Sequence, residues 1–122
     1  MEGGACGVPI QSLPVRRTSG FILLLCVGAC GPTIRADFSS PEPAARNAAI
    51  VQAAAGRDAS ATPDLVRMLD SDDPATRLLA IDALERITGE RLGYEHAAGE
   101  HEREEAVARW QAWVAENQGG RR

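Results

Sequence analysis

An internal repeat with a period of 31 residues is the feature that most constrains the fold of this chain. The segment SPEPAARNAAIVQAA, residues 40–54, aligns with SDDPATRLLAIDALE, residues 71–85. The two segments share six residues over fifteen positions: Ser40 and Ser71, Pro43 and Pro74, Ala44 and Ala75, Arg46 and Arg77, Ala49 and Ala80, Ile50 and Ile81. Self-similarity at such a period is typical of proteins that stack copies of one supersecondary unit. We therefore expect one structural unit to occur twice.

Each copy is predicted to begin with a helix. A capping residue followed by proline marks a helix start, because the first turn has no use for the N–H group that proline lacks. In the second copy Ala80, Ala83, Leu84 and Ile87 recur at spacings of three and four, which indicates an apolar helical face. The segment ATPDLVRMLDSDD between the copies predicts a second, shorter helix. The predicted unit is helix, turn, helix.

The segment EHEREEAVARWQAWVAEN, residues 100–117, predicts one longer terminal helix. Its apolar stripe contains Trp110 at the middle and Trp113 nearer the end, so we expect Trp110 to be the more buried. Exposed tryptophans are frequent interface hot spots, which makes Trp113, and then Trp110, candidate binding residues.

The repeat resembles HEAT repeats, in particular the short bacterial HEAT-like repeats named after phycobilisome lyases. The residues that carry the resemblance are Pro63, Leu65, Val66, Leu69, Asp70, Arg77, Ala80, Ala83, Leu84 and Ile87. The resemblance implies an all-α fold, a short α-hairpin stack of about two repeats and four helices with a terminal capping helix. It also implies a ladder of ion pairs between neighbouring repeats, formed here by Asp70, Arg46 and Arg77.

The stretch FILLLCVGAC, residues 21–30, follows the basic pair Arg16 and Arg17. Its apolar run is too short to span a membrane, which takes roughly 20 residues, and the arrangement is typical of a signal peptide. The letters VGAC resemble the lipobox of bacterial lipoproteins, which implies that Cys30 becomes a lipidated N-terminus. Two alternatives stay open: cleavage after Ala29 without lipidation, giving a secreted or periplasmic protein, and an uncleaved apolar tail.

The predicted organisation has four parts. They are a signal peptide at 1–29, whose residues 1–14 are long enough to suggest a start-site artefact, a lipidated cysteine and flexible tether at 30–42, a helical domain at 43–118 and a disordered tail at 119–122. The predicted location is the cell envelope, with the lipid bilayer reached through the N-terminal lipid. All thirteen basic side chains are arginine, and they alternate with acidic residues at a net charge of -4, which disfavours nucleic acid as a partner.

The sequence offers few groups that could carry chemistry. His96 and His101 are five residues apart and the letters HEREE lack the second histidine of a zinc protease motif, so they are weak metal candidates. No catalytic constellation stands out, and we expect neither enzymatic activity nor a cofactor. The leading hypothesis is a non-catalytic binding or scaffolding module with an unknown protein partner. The alternatives are a periplasmic metal-binding protein and an accessory, lyase-like subunit of an enzyme.

Overall fold

The computed structural model describes residue 31 and residues 33–118, and this part of the chain is all-α. Its helices are α1 (Pro43–Gly56), α2 (Thr62–Met68), α3 (Pro74–Thr88) and α4 (Glu100–Gln118), with a 3-10 turn at Ala59–Ala61 before α2. The all-α prediction is confirmed, and the described range contains four α-helices and no strand, the fourth helix being the predicted terminal one. The predicted signal peptide, Cys30 and the predicted tail at 119–122 lie outside the described residues.

Both long repeat helices begin at their predicted prolines, Pro43 and Pro74. At the start of α3 the Asp73 carboxylate accepts hydrogen bonds from the backbone N–H groups of Ala75 at 3.1 Å and Thr76 at 3.3 Å. The Thr76 hydroxyl and these N–H groups stabilise the charged carboxylate and hold the pKa of Asp73 below its ordinary value. The helix therefore starts with a capped end.

The central helix of the domain is α3, which packs against both α1 and α2, while α4 packs against α2. Its buried residues are Thr76, Ala80, Ile81, Ala83 and Leu84. Leu84 is 0 % exposed whereas Glu85 is exposed, so the helical register predicted for the second copy is confirmed. Since a fully buried leucine or isoleucine side chain contributes about 1.5–3 kcal/mol, α3 holds much of the core together.

The same arginine contact occurs in both copies of the repeat, and we call it the arginine clasp. Arg46 Nη1 donates to the backbone carbonyl of Ser40 at 2.9 Å and to that of Pro41 at 2.8 Å. Arg77 Nη1 donates in the same way to the carbonyl of Ser71 at 2.7 Å and to that of the next residue at 3.1 Å. The guanidinium group suits this role because it offers several donors in a fixed plane. Each clasp fixes the turn that precedes its helix.

The serines of the repeat are equivalent as well. The Ser40 hydroxyl accepts a hydrogen bond from the backbone N–H of Glu42 at 3.1 Å, and the Ser71 hydroxyl accepts one from that of Asp73 at 3.2 Å. Such a side-chain contact two residues ahead stabilises a turn. Identities found by sequence comparison thus coincide with identical hydrogen bonds, and the two segments are structurally equivalent.

A buried polar contact joins the two copies. The Thr76 hydroxyl on α3 lies 2.7 Å from the side-chain oxygen of Asn47 on α1 and 2.7 Å from the Asp73 carboxylate. Thr76 is 0 % exposed, and buried polar groups of this kind cost free energy unless they are hydrogen-bonded. Asn47 stands where the second copy has a leucine, so its polarity has a structural reason in the neighbouring copy.

The second copy is followed by a long loop, residues 89–99, instead of a short helix. The residues that are equivalent to α2 in the second copy, 31 positions further along the chain, lie in this loop. Its backbone is held from several directions: the Tyr94 hydroxyl donates to the carbonyl of Leu69 at 2.6 Å, and Arg109 Nε of α4 donates to the carbonyl of Leu92 at 2.9 Å. Leu92 has φ 49°, an uncommon value for a residue with a side chain. These two contacts tie the loop to the end of α2 and to α4.

The packed domain begins earlier than the predicted boundary at Pro43. The backbone N–H of Asp37 donates to the carbonyl of Ala45 at 3.1 Å, and Phe38 is half-buried against the core. Phe38 also lines an open groove of about 500 Å³ whose floor includes Ala49, Ala53 and Ala61. Small alanines leave room here for an aromatic ring from the preceding segment, so the last part of the predicted tether belongs to the fold.

Candidate functional site

Two open grooves with mainly apolar floors lie between neighbouring helices. The α2–α4 groove has a volume of about 350 Å³ and is lined by Pro63, Val66, Arg67, Asp70, Val107, Gln111 and Val114. The α1–α3 groove has a volume of about 390 Å³ and is lined by Ile50, Val51, Ala54, Ala55, Leu79, Asp82, Ala83 and Arg86.

The α2–α4 groove combines an apolar floor with a polar rim. Val66 is 4 % and Val107 is 9 % exposed, so the floor belongs to the packed core and is rigid. Gln111 and Arg67 are exposed at the rim, and Arg67 pairs with Asp64 one turn earlier on α2. A preformed apolar surface with a few polar groups around it is the usual composition of a binding patch. The groove is small enough to suit one or two large apolar side chains.

Trp110 and Trp113 differ in burial as predicted. Trp110 is 0 % exposed, and its indole Nε1 donates to the carbonyl of Arg91 at 3.2 Å. Trp113 is half-buried at the edge of the core. The two rings meet edge to face, with centroids 5.7 Å apart and planes at 64°, which is a favourable aromatic geometry. The predicted order of burial is confirmed, and partner binding by either residue stays a prediction.

Trp113 does not line the α2–α4 groove. At about 100° per residue, Val107 and Val114 lie roughly 60° and 40° to one side of Trp110, and Trp113 lies roughly 60° to the other side. The candidate tryptophan and the groove therefore flank opposite edges of the buried stripe of α4. Because that stripe is buried against the core, a partner that contacts both has to reach round the exposed side of α4.

The ion-pair ladder implied by the HEAT resemblance is absent from the described residues. Arg46 and Arg77 donate to backbone carbonyls of their own turns, as described above, and neither forms an ion pair with Asp70. The arginines direct their Nη1 donors to these carbonyls, and Asp70 is exposed beside Arg77 in a small polar cleft. The two arginines thus stabilise their copies without a charged partner.

His96 and His101 lie in different settings. His96 belongs to the loop after α3, and its Nδ1 atom is 3.7 Å from Glu95 Oε1. His101 is on the first turn of α4, where its Nε2 atom is 3.3 Å from Glu105 Oε1. No group of three or more potential metal ligands comes together within residues 33–118. Each histidine has a neighbouring carboxylate, and the structure does not bring the two imidazoles into one site.

Tyr94 is the residue that pattern reasoning missed. It is 1 % exposed and belongs to the core cluster, although it stands in a loop rich in glycine and polar residues. Burial raises the pKa of the Tyr94 hydroxyl above its ordinary value, while the positive charges of Arg77 and Arg103 oppose that effect. A single aromatic residue in a glycine-rich loop was the available signal, and it indicates an anchor for the loop.

Comparison with protein-family models, curated proteins and solved structures finds no match to this chain. Within the described range, none of the helices combines the length and the apolar character that crossing a membrane requires.

Proposed function

We propose that this chain is a non-catalytic protein-binding or scaffolding module of the HEAT-like type, tethered to a bacterial membrane through a lipid on Cys30. The observation that carries the binding role is the α2–α4 groove, an apolar surface between two packed helices with a polar rim. Support for the HEAT-like type comes from the 31-residue repeat and from its helical segments, α1 and α3, which begin at equivalent prolines. Support for the lipid anchor comes from the letters VGAC behind a basic pair and an apolar run.

The partner that fits the α2–α4 groove presents one or two large apolar side chains. Such side chains gain roughly 25 cal/mol for each Å² of apolar surface that leaves water, and the rigid floor spares the cost of ordering the site. Arg67 and Asp70 at the rim carry opposite charges, so they favour orientation of the partner over strong attraction of either sign.

A photo-crosslinking amino acid at Gln111 tests the binding role in cells that naturally produce the chain. We expect a discrete crosslinked adduct from Gln111, which lines the groove and is exposed, and none from the matched position Glu116. Glu116 is exposed on the same helix, about 140° round from Gln111, and does not line the groove. Val114→Asp at the groove should remove the adduct, while Ala112→Asp, on the exposed side of α4, leaves it. Equal labelling from Gln111 and Glu116, or none from either, would contradict the proposal.

The lipid anchor has a separate test. Detergent phase partitioning should place the native chain in the detergent phase, because only the native cysteine can carry a lipid, whereas Cys30→Ala should either release the mature domain into the aqueous phase or block its processing and leave the longer precursor. Cys26→Ala is the matched control and should partition like the native chain. Identical partitioning and processing of the native chain and Cys30→Ala would refute the anchor and leave the binding role untouched.

A further inference from the structure

Val51 on α1 is one of the exposed large apolar side chains of the described domain. It is 54 % exposed and lies in the α1–α3 groove, next to Ala54 and Ala55 of the same helix. A protruding valine beside small alanines gives one surface both a projection and a recess. Two copies of such a surface can fit each other, whereas a flat apolar face has no such preference.

The rim of the same groove carries one charge of each sign. Asp82 and Arg86 stand one turn apart on α3. Arg86 forms no ion pair with another described residue. Asp82 is 3.3 Å from Arg91, but Arg91 lies closer to Glu85, at 2.6 Å, so Asp82 can accept a second cation. When a second copy of α3 lies antiparallel to the first, the Asp82 of each copy faces the Arg86 of the other. The pair of charges is therefore complementary to itself.

The apolar residues of the groove on α1 and the charged residues on α3 lie at the same height along the two helix axes. The helices α1 and α3 run in the same direction, because Asn47 contacts Thr76 near their starts and Ala55 shares the groove with Arg86 near their ends. A shift by the repeat period takes Val51 to Asp82 and Ala55 to Arg86. The projection and recess on α1 therefore stand beside the negative and positive charges on α3.

We infer that a second copy of this chain docks on the α1–α3 groove across a twofold axis. This axis lies in the plane between the two copies and runs perpendicular to the helices. The axis passes at the level of Ala53 and its repeat equivalent Leu84, midway between the paired positions. It brings Val51 against the partner's Ala55 on one helix and Asp82 against the partner's Arg86 on the other. One rotation satisfies both pairings, which is the property an isologous interface requires. This surface is separate from the α2–α4 groove, so it does not depend on the binding role proposed there.

The contact is small and the dimer is weak. Helices of about 14 residues are roughly 21 Å long, and two of them side by side present a face of roughly 400 Å² per copy. Stable complexes bury about 800 Å² per partner, so we expect a dissociation constant on the order of 100 µM.

Sedimentation equilibrium of the purified chain in density-matched detergent measures this association. Val51→Glu should raise the dissociation constant by about tenfold or more, because it places a charge against the partner's alanine. Ile34→Glu is the matched control: Ile34 is 58 % exposed and does not line the groove, so the constant should stay unchanged. A native chain that remains monomeric at about 1 mM, or equal effects of the two variants, would overturn the inference.

A charge exchange identifies the paired residues. Asp82→Arg alone and Arg86→Asp alone each place like charges across the axis, and each should lose self-association. An equimolar mixture of the two variants restores opposite charges and should form a heterodimer with nearly native affinity. Failure of the mixture to associate would overturn the pairing. A monomeric native chain whose Val51 position crosslinks to a different protein in cells would assign the groove to that partner instead.

Discussion

The turn that leads into α1 and the turn that leads into α3 are held by the same serine and arginine hydrogen bonds, whereas the segments that follow the two helices differ. After α1 the chain makes a 3-10 turn and the short helix α2. After α3 it makes the loop at 89–99, anchored by Tyr94, and then the long helix α4. The starts of the copies share one backbone geometry, although only α3 has a side-chain cap, and the ends differ in what packs against them.

The two copies also differ in how their helices fill the core. Leu84 of α3 is 0 % exposed, and its repeat equivalent on α1 is Ala53, which is 7 % exposed. On the α1 side the space beside this alanine is partly filled by Phe38 from the preceding segment, and an open groove remains. The first copy is thus the looser end of the stack: of the largest fully buried side chains it supplies Ile50 alone, whereas the second copy supplies Thr76, Ile81 and Leu84.

Among these variants, removal of the Trp110 side chain should reduce stability most, because it leaves a large cavity where α4 packs on the core. Trp110→Ala should lower the free energy of unfolding by about 3–5 kcal/mol, enough to unfold a domain of this size. Trp113→Ala should cost less, since Trp113 is only half-buried. Chemical denaturation measures both. A larger loss for Trp113→Ala would mean that α4 packs by its other edge.

Leu84→Ala gives the second copy the residue that the first copy already has. We expect a loss of about 2–5 kcal/mol, because the cavity forms in the packed core beside α1 and α2. Glu85→Ala, at the next position on the exposed face, should cost little. Similar shifts in the denaturation midpoint for the two variants would contradict the assigned register.

Tyr94→Phe removes the anchor that distinguishes the end of the second copy. The loss should be about 1–3 kcal/mol, since the buried carbonyl of Leu69 loses its donor. Because burial raises the pKa of Tyr94, its contribution is fully present below the ordinary pKa near 10 and is lost as pH rises through the higher folded value. The free energy of unfolding of the native chain should fall over that alkaline range, and that of Tyr94→Phe should fall less steeply. Identical slopes would show that Tyr94 is not buried as a neutral phenol.

The repeat could be predicted because its key contacts are local. The arginine clasp joins residues only five and six positions apart. Two copies that share this contact therefore carry the same residue types at the same positions, as Ser40 and Ser71 or Arg46 and Arg77 do. The helix starts follow from their prolines and the buried stripe of α4 from its periodicity, whereas the predicted capping side chain is confirmed at Asp73 before α3 and is wrong for α1, which has no side-chain cap.

Contacts between distant segments were beyond the reach of local patterns. Tyr94 meets Leu69 across 25 residues, and Asn47 meets Thr76 across 29, so neither contact shows in the spacing of either segment. The α2–α4 groove likewise depends on how two helices pack, which no single stretch encodes. The expected ion-pair ladder failed for a related reason: the arginines find carbonyl acceptors nearby before they reach a carboxylate in the other copy.

The equivalence of the two copies is tested most directly by the free energies of unfolding of Arg46→Met and Arg77→Met. Methionine keeps an apolar stem of similar length and lacks the donors of the guanidinium group. We expect each variant to lose about 1–2 kcal/mol, with Arg77→Met at the upper end because Arg77 Nε also donates to the carbonyl of His96 at 3.4 Å. The control Arg57→Met, at an exposed arginine outside the clasps, should change stability by less than about 0.5 kcal/mol. A loss in only one copy, or losses no larger than the control, would contradict the claim that one clasp holds both repeats.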